Sequence, residues 1–261
     1  MPFLQVDGTP FHYRESGDGP VLVMLHGLGA SLDDWEFQIP FFSQNFRCIA
    51  IDLRGFGQSG RGKGALSLQR FADDIWSVLS QLQAHQFCLI GHSMGGAVAL
   101  QLTLDHPQAV TRLVISNSVP TFVPQTLKQH FEVWYRMLVM RLLGPFRMAQ
   151  IGAMRMFPDP DQAGLREKSI RRSSRGSSKS YVQALRALTR WSVISRLHEL
   201  QMPVLVLAAE HDYFTREEML WFAHALPHGR FHLFANTHHG LPLEAPEHFN
   251  RVVQKFLCGA A

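Results

Sequence analysis

Residues 91–95 read Gly-His-Ser-Met-Gly, a serine with a glycine two positions away on each side. That spacing suits a nucleophile. A serine that attacks a carbonyl must project from a tight turn between a strand and a helix, and flanking glycines let the backbone cross there without a Cβ clash. The surroundings agree. Phe-Cys-Leu-Ile at 87–90 is a short apolar run in front, and Gly96-Ala97-Val98-Ala99-Leu100 opens like a helix of small residues behind. The N–H groups at the start of such a helix favour a developing oxyanion, and Met94, directly after the serine, offers one of them. A hydroxyl needs a base to become a nucleophile, and the base needs an orienting acid. With 14 histidines in the chain, no lone His identifies that base.

The elements that must hold Ser93 follow from hydrophobic patterning. Residues 21–25, 48–53, 87–90, 112–115 and 203–208 are short apolar runs rich in Val, Ile and Leu, as expected of strands buried on both faces. Between them lie helical patterns. Residues 67–84 carry Leu68, Phe71, Ile75, Val78, Leu79 and Leu82 at helical spacing, with Ser67 placed as an N-cap. Strand–helix alternation of this kind predicts an α/β fold with a mostly parallel central sheet flanked by helices. Residues 1–14 alternate and predict an antiparallel edge. The alternation stops between about 120 and 200, where residues 126–143 and 178–191 carry helical spacing and 171–180 read as a basic loop.

Composition removes several classes. The chain has 261 residues, 46% hydrophobic and 18% charged, values that exclude a disordered, collagen-like or coiled-coil chain. Cys48, Cys88 and Cys258 are too scattered for a disulfide framework or a zinc site, so no metal is expected and the thiols read as reduced. The N-terminus has neither the basic nor the apolar region of a secretory signal, and no apolar run reaches the roughly 18 residues of a membrane span. A cytoplasmic protein is expected.

Four segments together resemble the α/β-hydrolase fold superfamily, in its small, cap-bearing esterase-like branch. They are His26-Gly27-Leu28-Gly29, Asp52-Leu53-Arg54-Gly55-Phe56-Gly57-Gln58-Ser59, the turn at Ser93, and Glu210-His211-Asp212 followed by His239. The resemblance implies a catalytic triad of Ser93, Asp212 and His239, with Glu210 as the rival acid two residues nearer the strand. The family runs His, four residues, then Glu-x-Pro; Glu244 and Pro246 select His239 over its neighbour His238. It also implies an oxyanion hole made by the backbone N–H groups of Leu28 and Met94. His26, His238, Trp134 and Met137 are candidates for the substrate pocket, His26 being also a buried brace for its loop. A serine at the turn argues against epoxide hydrolases and dehalogenases of this fold, which use aspartate there.

The resemblance divides the chain into a core, 1–120 and 201–261, and a helical cap, 121–200. The cap holds five of the ten methionines, Met137, Met140, Met148, Met154 and Met156, whose flexible side chains fit irregular apolar groups. It also holds 14 Lys and Arg against 5 Asp and Glu, a net of +9, leaving −5 for the rest. Such a cap could attract an acidic carrier protein bearing the acyl group. No stacking motif accompanies the charge, so nucleic acid is not expected. The expected activity is serine carboxylesterase, without a cofactor, on a small-molecule ester. The alternatives are ester hydrolysis on a carrier protein, carbon–carbon bond hydrolysis, which often shows Asn where this chain has His92, and a ligand-binding receptor on the same fold.

Overall fold

A computed structural model describes residues 2–259, so positions 1 and 260–261 of the expected core lie outside the described residues. Eight strands form one sheet: β1 (Phe3–Val6), β2 (Thr9–Ser16), β3 (Val21–Leu25), β4 (Arg47–Ile51), β5 (Phe87–His92), β6 (Val110–Ser116), β7 (Val204–Ala209) and β8 (Gly229–Phe234). Their order is β1-β2-β4-β3-β5-β6-β7-β8. β1 and β2 pair antiparallel at one edge, as the alternation at the N-terminus predicts, and β3 to β8 run parallel.

The helices are α1 (Gln38–Phe42), α2 (Leu68–Gln81), α3 (Met94–Asp105), α4 (Leu127–Leu142), α5 (Gly144–Met156), α6 (Ala163–Ser173), α7 (Ser178–Leu188), α8 (Arg216–His224), α9 (Leu241–Glu244) and α10 (Pro246–Leu257). Ser67 caps α2 by accepting the N–H of Arg70. Successive side chains of a strand face opposite ways. In β3, Val23 and Leu25 therefore join the apolar layer under α2, α3 and α8, while Leu22 and Met24 join the layer under α1 and α10. β5 lies between β3 and β6 and is buried along its whole length, so its C-terminal end holds Ser93 against a rigid support.

Helices α4 to α7 fall between β6 and β7, where the strand pattern stops. One expectation fails there. The stretch 171–180 is not one basic loop, because α6 runs through Ser173 and α7 starts at Ser178. Within the stretch, Arg172 turns inward, and so do Lys168 and Arg166 just before it: Lys168 Nζ and Arg172 Nη2 reach Glu36 Oε2 at 2.7 and 3.0 Å, and Arg166 donates to the carbonyls of Phe157 and Asp159 at 2.6 and 2.5 Å. These contacts tie the helical segment to the loop after β3 and to itself.

The loop after β4 is a buried polar brace. Asp52 accepts the N–H of Leu32 at 2.7 Å and that of Gln58 at 2.8 Å, and its Oδ2 lies 2.6 Å from His12 Nδ1. Arg54 is buried and forks onto Asp74, with both contacts at 2.5 Å. Asp74→Ala would strand that guanidinium in the core, and removing one partner of a buried pair costs about 3–5 kcal/mol. Denaturant unfolding should show a loss in that range; a loss under about 1 kcal/mol would mean that the pair does not hold the loop.

Candidate active site

Ser93 sits at the turn from β5 into α3 with φ 53° and ψ −123°, a conformation that costs a non-glycine residue about 1–3 kcal/mol. The turn tolerates it because its neighbours leave no alternative. A Cβ on Gly95 would lie 2.2 Å from the Leu25 carbonyl oxygen, and one on Gly91 would lie 2.4 Å from that of Gly95. Glycine at both positions lets the chain pass through a gap that no other residue fits.

The loop before α9 brings His239 to this serine. His239 Nε2 lies 2.9 Å from Ser93 Oγ, and His239 Nδ1 lies 2.6 Å from Asp212 Oδ1. Asp212 follows β7, its side chain is fully buried, and the same Oδ1 accepts the N–H of Tyr213 at 2.5 Å. A carboxylate fixed in this way sets both the orientation and the tautomer of the ring. Glu210, the rival acid, does not reach the histidine; its Oε2 accepts the N–H of Asn236 at 2.8 Å and anchors a loop. Asp212→Asn should therefore lower turnover by roughly 10³–10⁴-fold by favouring the wrong imidazole tautomer. Glu210→Gln should act only a few-fold, and steady-state rates of the two variants would rank them.

Met94 is the first residue of α3, so its N–H has no acceptor within the helix. Leu28 belongs to the loop after β3 and lines the same cavity as Ser93 and His239. That loop comes close enough that a Cβ on Gly27 would meet the Ser93 Cβ at 3.2 Å. His26 holds it in place. Its Nε2 accepts the Leu53 N–H at 3.0 Å, so the ring proton sits on Nδ1 and is donated to the Gly27 carbonyl at 2.8 Å. Burial keeps this imidazole below its ordinary pKa, and hence neutral. Burial, helped by the neighbouring His239, likewise holds His92 well below the ordinary value.

The cavity in front of Ser93 has a volume of about 110 Å³. Its wall joins Leu28, Ser93, Tyr213 and His239 to residues of the helical segment, among them Arg136, Met140, Met148 and Tyr181. The four expected pocket residues are placed elsewhere. Trp134 is half exposed against Phe131, because Arg136 and Met140 share the inward face of α4 and Trp134 lies two residues round the helix. Met137 packs into the apolar cluster between α4 and α7. His26 is the buried brace just described and borders a smaller neighbouring cavity. His238 turns to Glu244, with Nδ1 2.8 Å from Oε1 and its N–H donated to Oε2 at 2.5 Å.

Two contributors escape sequence reasoning. Asn117, fully buried after β6, donates from Nδ2 to the carbonyls of His238 and His239, each at 3.3 Å, and so steadies the histidine loop. Tyr213 packs its ring 4.6 Å from that of His239. Nothing in the local sequence signals either, because each acts across a long chain separation. Among the described residues, the donors of Asp159, His238 and Glu244 lie within 4.8 Å of one another and could hold a metal ion. The donors of His238 and Glu244 already face each other there.

A family model described as alpha/beta hydrolase fold matches residues 20–246. The chain belongs to this family. Among its relatives, an (E)-2-((N-methylformamido)methylene)succinate hydrolase of Acinetobacter baylyi is 27% identical over 260 residues, covering 94% of this chain and 93% of the relative. A 3-oxoadipate enol-lactonase of the same organism is 26% identical over 242 residues, covering 91% and 88%. Among solved structures, the esterase EaEST from Exiguobacterium antarcticum superposes with a TM-score of 0.91 at 25% identity, covering 98% of this chain and 99% of the esterase. These alpha/beta hydrolases share hydrolysis and differ in the bond named. Among the described residues of the present member, no helix is long and apolar enough to cross a membrane.

Proposed function

We propose that this alpha/beta hydrolase cleaves carboxylic esters through an acyl-enzyme formed on Ser93. The observation that carries the reading is the pair of contacts in series, 2.9 Å from Ser93 Oγ to His239 Nε2 and 2.6 Å from His239 Nδ1 to Asp212 Oδ1, opening onto one cavity. His239 takes the serine proton as Oγ attacks the ester carbonyl, and Asp212 stabilises the imidazolium that results. The N–H groups of Leu28 and Met94 receive the oxyanion, where charge appears only as the reaction proceeds. His239 then protonates the departing alcohol. Water, deprotonated by the same histidine, releases the acid.

Residues 121–200 act in this reading as a cap over a core of 1–120 and 201–261, shielding the acyl-enzyme. The names of the esterase and the enol-lactonase support esters, open or cyclic, as the substrate class. An acidic carrier protein receives no specific support. Of the cations between 166 and 190, Arg171, Arg175, Lys179, Arg186 and Arg190 make no ion pair among the described residues and would be free to draw it, whereas Arg172 and Lys168 are paired to Glu36. The test is turnover of 4-nitrophenyl acetate with a rapid burst of nitrophenol, and recovery of the acetyl group on the peptide that contains Ser93. Absence of both turnover and acylation would overturn the proposal.

A further inference from the structure

Two cations at the cavity wall have no part in the chemistry just described. Arg136 and Arg155 both line the space over Ser93. They share one carboxylate: Glu132 Oε1 accepts from Arg136 Nε at 2.9 Å and also pairs with Arg155. Two guanidinium groups against one carboxylate leave a net positive charge where the substrate must lie. An excess cation in a partly desolvated wall is unfavourable by itself, and a bound anion relieves it.

Arg136 is also held in position. Its guanidinium lies 5.1 Å over the Tyr213 ring, and Tyr213 in turn packs 4.6 Å from the His239 ring. One aromatic ring thus separates the cation from the base. The space of about 110 Å³ beside Ser93 suits a short acyl chain between the two. The acyl part stays bound through both half-reactions while the alcohol leaves, so it is the part that a binding group in the cavity wall can hold throughout.

We infer that the site selects esters whose short acyl chain ends in a carboxylate, with Arg136 as the residue that determines this specificity and Arg155 completing the anion contact. The inference rests on the ester-hydrolase reading and narrows it. A guanidinium reads a carboxylate by two parallel N–H donors, a geometry that Lys cannot reproduce.

The test compares 4-nitrophenyl pentanoate with mono-4-nitrophenyl glutarate, substrates of equal acyl length that differ in the terminal carboxylate, each corrected for its enzyme-free rate. Wild type should prefer the glutarate by about tenfold or more in kcat/KM, the fold-change of a charge-assisted hydrogen bond. Arg136→Gln should lower the glutarate-to-pentanoate ratio by about tenfold, through KM, and Arg136→Lys should restore part of it. A purely structural Arg136 would depress both substrates alike and leave the ratio unmoved. Cleavage of pentanoate with no preference for glutarate by the wild-type enzyme, or an unchanged ratio in Arg136→Gln, would sink the inference while leaving the ester-hydrolase reading intact. Cleavage of neither substrate would remove both. The wild-type ratio decides even if the Gln variant fails to fold.

Discussion

Ser93→Ala is expected to abolish ester hydrolysis and leave the folded state intact. The effect is large because the residue would supply the bond-forming atom: in serine hydrolases, loss of the nucleophile costs on the order of 10⁶ in kcat, and what persists comes from binding and the oxyanion donors. The fold should survive for a local reason. Alanine keeps the Cβ, so at φ 53° it carries the same backbone strain as serine, and it loses only the contact from Oγ to His239. Initial rates on 4-nitrophenyl acetate, read beside a thermal unfolding curve, check both halves. A variant that keeps more than a few per cent of the wild-type rate would remove Ser93 as the nucleophile.

His239→Ala is expected to cost about 10³-fold or more in kcat, and His238→Ala only a few-fold. The two are adjacent in sequence, and the asymmetry comes from where their rings point. His239 bridges Ser93 and Asp212, whereas His238 is tied to Glu244. Loss of His239 removes the group that takes and returns the proton. Loss of His238 frees a carboxylate that the side-chain amide of Gln162 also reaches, at 2.9 Å. The reverse ranking would transfer the general base to His238 and break the proposed relay. His238→Gln, which keeps a donor toward Glu244, should fall closer to wild type than His238→Ala if the role of His238 is structural.

The architecture was legible because its signals are local. A strand such as Val21–Leu25 is apolar throughout, since helices cover both faces of the sheet, and α2 shows its period and its Ser67 cap within a few residues. β8 went unread for the opposite reason. Among the described residues Gly229–Phe234 pairs only with β7, at the sheet edge, and is mostly half-buried, so it lacks the continuous apolar run of the inner strands. The basic segment misled in a similar way. Counting charges between 121 and 200 treats all of them as outward, but Arg172 and Lys168 meet acids of the loop after β3, more than 130 residues away for both.

By itself the sequence determined the parallel α/β core, the family, and a serine on a glycine-flanked turn, because each is written in neighbouring residues or in a motif whose spacing the backbone enforces. The resemblance to the family already implied that Ser93, Asp212 and His239 act together, and the tertiary structure decided the contacts that no stretch of sequence states. It brought together Ser93, Asp212 and His239 from three separate strand ends, set Asn117 behind the histidine loop, and turned Trp134 outward and Arg136 inward on one helix. The physical reason is range. Helical and strand periodicity act over a few residues, whereas this site is assembled by contacts across 27 to 146 residues, and which face of α4 meets the cavity is set by the packing of α4 against its neighbours.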